Sequence, residues 1–123
     1  VVDLSSSRWE REVLRADQLV AVDFWHDKCP WCRRLDPIYR ELAAEYAGKL
    51  KFARFNVLEN EDNRHLAIHY GIMGTPTILF FCQGRPVGAI VGYRPKEVLR
   101  KELDEHLEKC VINYEQSTSM EEG

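Results

Sequence analysis

The sequence predicts an α/β fold, a central mixed sheet of four or five strands flanked by helices. Three observations lead there. Residues 19–25 (LVAVDFW) form a short, strongly apolar run rich in β-branched side chains, the pattern of a strand buried on both faces. Directly after it, Leu35, Ile38, Leu42 and Tyr46 recur at the spacing of one helix face. Two more apolar runs, 77–81 and 87–91, are separated only by a turn around Gln83 and Gly84, which is a hairpin signal.

Taken in order, residues 1–4 suit an edge strand, and Ser5, Ser6 and Ser7 offer caps for a short helix over 9–16 anchored by Trp9. The buried strand at 19–25 follows, then a helix over 29–46 with Pro37 inside it, where a kink is expected, and Gly48 beyond its end. Residues 51–57 (KFARFNV) alternate as a strand does. Residues 59–70 form a short helix with Leu66, Ala67 and Tyr70 inward, stopped by Gly71. The hairpin comes next, its strands joined by a five-residue turn over 82–86. Pro95 stands near the start of a last helix whose inner face is Leu99, Leu103, Leu107 and Cys110. Strands 19–25 and 51–57 are joined through a helix, so they should pair in parallel with a right-handed crossover.

The chain's 123 residues suffice for one domain, set at 1–112, with a short polar tail at 113–123. A net charge of −3 gives no reason to expect a nucleic-acid partner, and no apolar run approaches the roughly 20 residues that span a bilayer. The expected state is a monomer. The chain begins with Val1 and carries no legible signal peptide; the expected compartment is the cytoplasm, with the periplasm or the exterior as the alternative if a segment once preceded Val1.

The chemistry gathers at Cys29-Pro30-Trp31-Cys32. This CxxC lies past the carboxyl end of a central strand and at the start of a helix, where open α/β sheets place their sites. Unpaired N–H groups and the helix dipole favour a thiolate there, and Lys28 adds a cation. Cys29 is expected to be the exposed attacking sulfur. Cys32, one turn inward, then resolves the mixed disulfide. Pro30 at the helix start costs no hydrogen bond and stiffens the ring. A zinc site would share the spacing but needs further ligands, and His26, His65, His69, Cys82 and Cys110 show no close second pair. No metal is expected, and the disulfide of Cys29 and Cys32 stands in place of a cofactor.

Asp23 interrupts an apolar strand, where an acid is costly. Buried beneath the cysteines, it would hold its proton more tightly and could accept one from Cys32. The alternative is an edge position facing solvent. Arg54, on the neighbouring strand, is a candidate charge partner. Thr75-Pro76 precedes a buried strand; a cis bond there would turn the Thr75 backbone outward to pair with an extended substrate. Cys82 and Cys110 are read as separate, small apolar groups, with a mutual disulfide or regulatory oxidation as minor alternatives. His65 and His69 are read as surface histidines, and Glu59, Glu61 and Asp62 as a solvated acidic patch.

These pieces resemble the thioredoxin family: VDFW at 22–25, CPWC at 29–32, Pro37 in the following helix, GTPT at 74–77, FFCQGRPVG at 80–88 and VGY at 91–93. The resemblance covers about residues 1 to 110 and implies dithiol–disulfide exchange on client proteins, with a separate reductase or electron donor. It implies that Cys29 attacks, Cys32 resolves and Asp23 assists proton transfer. It also implies that Trp25 packs beside the site, that Pro76 is cis beside the sulfurs and that Gly92 belongs to a substrate groove. The sequence departs from the pattern at two places. Pro30-Trp31, preceded by Lys28, replaces the usual Gly-Pro preceded by Trp; Trp31 offers a partner a large aromatic face or packs on a neighbouring loop. Arg54 replaces the usual lysine near the buried acid, and Arg cannot shed its charge. The leading reading is reduction of protein disulfides. A thiol oxidant or isomerase outside the cytoplasm is the alternative within the same chemistry, and a redox-inactive binding or metal-carrying module the alternative of another class.

Overall fold

The computed structural model describes the backbone of residues 1–122 and the side chains of residues 1–111. Strands β1 (Val2–Leu4), β2 (Val20–Trp25), β3 (Lys51–Asn56), β4 (Thr77–Cys82) and β5 (Arg85–Val91) form one sheet in the order β1-β3-β2-β4-β5. β1 and β2 flank β3 in parallel; β4 runs antiparallel to β2, and β5 antiparallel to β4. The mixed sheet matches the expectation. Helices α1 (Pro30–Glu45), α2 (Glu61–His69) and α3 (Lys96–Glu122) connect and cover it. The polar tail expected at 113–123 lies outside the residues whose side chains are described.

Alternation along β2 divides the core. Val20, Val22 and Phe24 face one side, against Trp9, Val13, Phe55, Ala67 and Phe81. Leu19 and Ala21 belong to the other side, with Leu35, Tyr39 and Leu42 of α1 and Leu99, Leu103 and Cys110 of α3. Both faces of β2 are covered, which is why its sequence reads as an unbroken apolar run. Asp23 shares the parity of Ala21 and faces α1. Trp9 is the expected anchor: it is buried against Phe24, Phe55, Tyr70 and Phe81, and its Nε1 donates to the Tyr70 hydroxyl at 3.1 Å.

Four expectations need correction. The first helical segment is a 3₁₀ turn, Ser6–Arg8, followed by a π-helical stretch, Glu10–Leu14, closed by an Arg15 N–H to Glu10 carbonyl bond of 2.9 Å. The hairpin turn is two residues, not five. Gln83 and Gly84 both take positive φ, 54° and 77°, the conformation that suits a tight hairpin. β5 therefore starts earlier than expected, and Pro86 fits because β5 is an edge strand with an irregularity opposite Phe80 and Phe81. On α2, Asn63 is wholly buried although the sequence marks only apolar residues there. It accepts from the Ser6 N–H at 3.0 Å and donates to the Asn56 carbonyl at 2.9 Å, tying the helix to both neighbours. Lastly, Cys82 and Cys110 are not separate groups but a disulfide. The end of β4 and the inner face of α3 meet there with Cα atoms 5.8 Å apart, inside the bridging range.

Candidate active site

Cys29 caps α1. Its backbone is extended, its sulfur accepts the Cys32 N–H at 3.1 Å, and Pro30 occupies the first helical turn. The pair is joined as a disulfide. One expectation fails in this state: Cys29 is 6% exposed and Cys32 3%, so the attacking sulfur is no exposed group here. Both sulfurs lie in the first turn of α1, where the Cys32 N–H holds Cys29. Lys28 is exposed, and its N–H donates to Nδ1 of His26 at 3.1 Å.

Asp23 lies in a central strand and is 1% exposed, which removes the edge alternative. Neither of its oxygens has a hydrogen-bonding partner. Burial pushes its pKa up from 3.8 to about 7; Arg54 pulls the other way and Asp36 reinforces the rise. Tyr39, beside it on α1, spans the strands, its hydroxyl reaching the carbonyls of Ala21 at 2.9 Å and Ala53 at 2.8 Å. Arg54 is not in contact with Asp23. Its Nε lies 3.2 Å from Asp36, its Nη1 3.4 Å from Asp3, and its guanidinium carbon 3.9 Å from the Trp25 ring centroid. Asp36 was missed by sequence reasoning, although an acid between Leu35 and Pro37 on a core-facing helix is a visible signal.

The Thr75-Pro76 peptide is cis. A groove beside it is lined by Trp31, Thr75, Pro76, Gly92 and Tyr93. The structure thus brings together most of the expected contact residues. Trp25 is not among them; it borders a separate cleft with Asp3, Leu4, Arg54, Asn56 and Glu59. Pro30 is exposed on the first turn of α1 and is also absent from the groove lining. Tyr93 is the added residue, and its place directly after Gly92 was the available signal. Trp31 is 51% exposed, tilts against Tyr93 with centroids 5.4 Å apart, and carries the Arg34 guanidinium 4.8 Å above its ring. Trp31 thus packs on Tyr93 and Arg34 while half of its surface stays exposed.

Among the described residues no three His, Cys, Asp or Glu side chains gather as a metal site, and no helix is long and apolar enough to cross a membrane. His65 and His69 are exposed, as are Glu59, Glu61 and Asp62.

Compared with known families, residues 1–105 match the family described as Thioredoxin. Among curated proteins, the chain is 37% identical over 105 residues to "Thioredoxin 2" of Chlorobaculum tepidum, covering 85% of this chain and 94% of that one. It is 37% identical over 107 residues to "Thioredoxin" of Staphylococcus aureus, covering 87% and 98%. It is 39% identical over 105 residues to "Thioredoxin M-type, chloroplastic" of Brassica napus, where it covers 85% of this chain and 58% of the relative. The chain thus spans little more than half of the chloroplast relatives it matches.

Proposed function

Since the chain belongs to the thioredoxin family, we propose that it is a thiol–disulfide oxidoreductase that reduces protein disulfides. The observation that carries the reading is the Cys29–Cys32 disulfide at the amino end of α1, with the intervening Trp31 lining the Thr75-Pro76 groove and with Asp23 of β2 buried and unpartnered.

In the reduced protein, the Cys29 thiolate attacks one sulfur of a client disulfide. A mixed disulfide forms, and the first client sulfur leaves as a thiolate that takes a proton from solvent. Cys32 then attacks Cys29, its proton passing to Asp23. The Cys29–Cys32 bond forms, and the second client sulfur leaves. The client gains two electrons and the Cys pair loses two; a separate dithiol reductase returns them. Helix α1 favours the Cys29 thiolate through its free N–H groups, with Lys28 as an added cation. Asp23 suits the proton step because an acid titrating near neutrality can both accept and release a proton. Arg54 tunes that acid at a distance. The groove takes the client as an extended segment, with the Thr75 backbone as its pairing edge and Trp31 and Gly92 as its walls. Trp25 supports Arg54 rather than the client, and Pro30 shapes the helix start. The clients are disulfide-bearing proteins, and the working compartment is the cytoplasm.

The test is a redox titration of the Cys29–Cys32 couple against a dithiol standard, together with turnover of a protein disulfide. A potential near the roughly −270 mV of a reductant supports the reading. A potential near those of strong oxidants transfers it to thiol oxidation. Full activity in Cys29→Ser overturns both.

A further inference from the structure

We infer that Asp36 is a positioning residue that clamps Arg54 away from Asp23, leaving the buried acid on β2 with no counter-charge in contact.

The strand register poses the problem. Asp23 on β2 is the cross-strand partner of Arg54 on β3, and Arg54 is in turn the partner of Asp3 on β1. Partners in parallel strands project to one face, so Asp3, Arg54 and Asp23 stand in a row with the cation in the middle. Opposite charges facing each other across strands are placed to pair. Arg54 pairs with Asp3 but not with Asp23, whose oxygens remain buried without partners.

A fourth group decides the choice. Asp36 descends from α1 and sets Oδ1 3.2 Å from Arg54 Nε, an ion pair held by charge and proximity without hydrogen-bond alignment. This tie is the more sheltered of the two: the Asp36 side chain is 28% exposed, against 73% for Asp3 at 3.4 Å. A sheltered pair is less screened and stronger. Asp36 is itself fixed, because its Oδ2 accepts from Arg40 Nε at 2.9 Å one turn along α1. Trp25 closes the remaining side, under the guanidinium. Arg54 is thus held by an acid on α1, an acid on β1 and an aromatic face, and all three turn it from Asp23. The ionisable groups around Asp23 are Arg54 from β3 and Asp36 and Tyr39 from α1, while its β4 partner is the apolar Ile78.

The consequence follows from charge alone. With Asp36 removed, Asp23 loses a like charge and Arg54 is freed to turn toward it. Both changes favour the ionised acid. For turnover the inference rests on the reading of Asp23 as the proton acceptor; for the titration it does not.

The experiment follows the side-chain carboxyl carbon of Asp23 by NMR across pH in the oxidised protein, in Asp36→Asn, in Arg54→Met and in the two combined. The midpoint should fall in Asp36→Asn by roughly one to three pH units, the range an opposite charge at close quarters produces. Asp36→Glu should restore it. With Arg54→Met present, Asp36→Asn should lower the midpoint by less than half as much. Asp36→Ala gives the same reading if the Asn variant does not fold. An unchanged midpoint, or an equal fall with and without Arg54, overturns the clamp. Turnover of a protein disulfide, measured on the same samples, separates this result from the fate of the proposed function: loss of the clamp leaves the exchange reaction in place with an altered pH profile.

Discussion

The Trp31 and Tyr93 rings lie 5.4 Å apart, centroid to centroid, at an interplanar angle of 41°. One ring comes from the first turn of α1 and the other from the segment after β5, and together they form one wall of the groove that Thr75 and Pro76 also line. A client segment seated there would cover the open half of Trp31. Trp31→Ala should therefore raise KM for a protein disulfide about tenfold, which is ~1.4 kcal/mol. Reduction of a small, unstructured disulfide should change little, because it needs no groove. Steady-state kinetics on both substrates check this; an equal loss on the two would show that Trp31 acts on the cysteines instead.

Asp23 makes stability depend on pH. Its carboxyl titrates at about 7 in the fold and at 3.8 ordinarily, chiefly because burial opposes its charge. Between those values the folded protein holds a proton that the unfolded chain has lost. Stability therefore declines as pH rises through this window and is level above it. The gap of about three pH units amounts to about 4 kcal/mol. Asp23→Asn, which imitates the protonated acid, should match the parent near pH 3.5 and exceed its stability at pH 8 by up to about 4 kcal/mol. Urea unfolding at the two pH values measures it. An Asn variant no more stable at pH 8 would remove the account, and its slower exchange reaction would read the acid's catalytic part separately.

The β2 run and the placement of Asp23 were legible in the sequence because an acid amid Val, Ala and Phe has few places to be. The CxxC was legible as a pair at a strand end and Pro76 as a proline before a buried strand, but whether the Thr75-Pro76 bond is cis was open in the residues and given only by the resemblance. What escaped depended on distances that no local pattern encodes. Cys82 and Cys110 meet only because the end of β4 and the inner face of α3 converge. Arg54 carries no sign of which of three acids it will choose, since two are its register neighbours and the third arrives from a helix. Trp25 was carried to the groove by resemblance, whereas its ring supports Arg54. Even the hairpin turn was misjudged, because Pro86 hides the start of β5 until the edge position of that strand is known.

The Cys82–Cys110 bridge closes a loop with a sequence separation of 28, and neither cysteine lines the groove. Chain-entropy reasoning assigns a loop of this length about 3–4 kcal/mol at most. The paired substitution Cys82→Ala and Cys110→Ala should lower stability by about that amount against the oxidised parent. Turnover of protein disulfides should persist, because Cys29 and Cys32 remain. Denaturant unfolding with and without reductant checks the first part and kinetics the second. A loss of turnover in a fully folded variant would make the bridge part of the reaction.

Gly88 on β5 leaves room for His106 of α3. A Cβ at Gly88 would stand 2.6 Å from the His106 Nε2, well inside contact distance. The imidazole cannot simply swing aside. It is stacked on Phe80 with centroids 4.3 Å apart, and only 14% of the side chain is exposed. Burial lowers its pKa, which favours the neutral ring against Phe80. Gly88→Ala should therefore cost about 1–3 kcal/mol, as overpacking does, by lifting α3 from the hairpin. In a His106→Ala background the same substitution loses its three nearest contacts, all with that ring, and should cost much less. A double-mutant cycle by urea unfolding gives the coupling directly. Additive effects at the two positions would show that the glycine is required by its backbone and not by the ring above it.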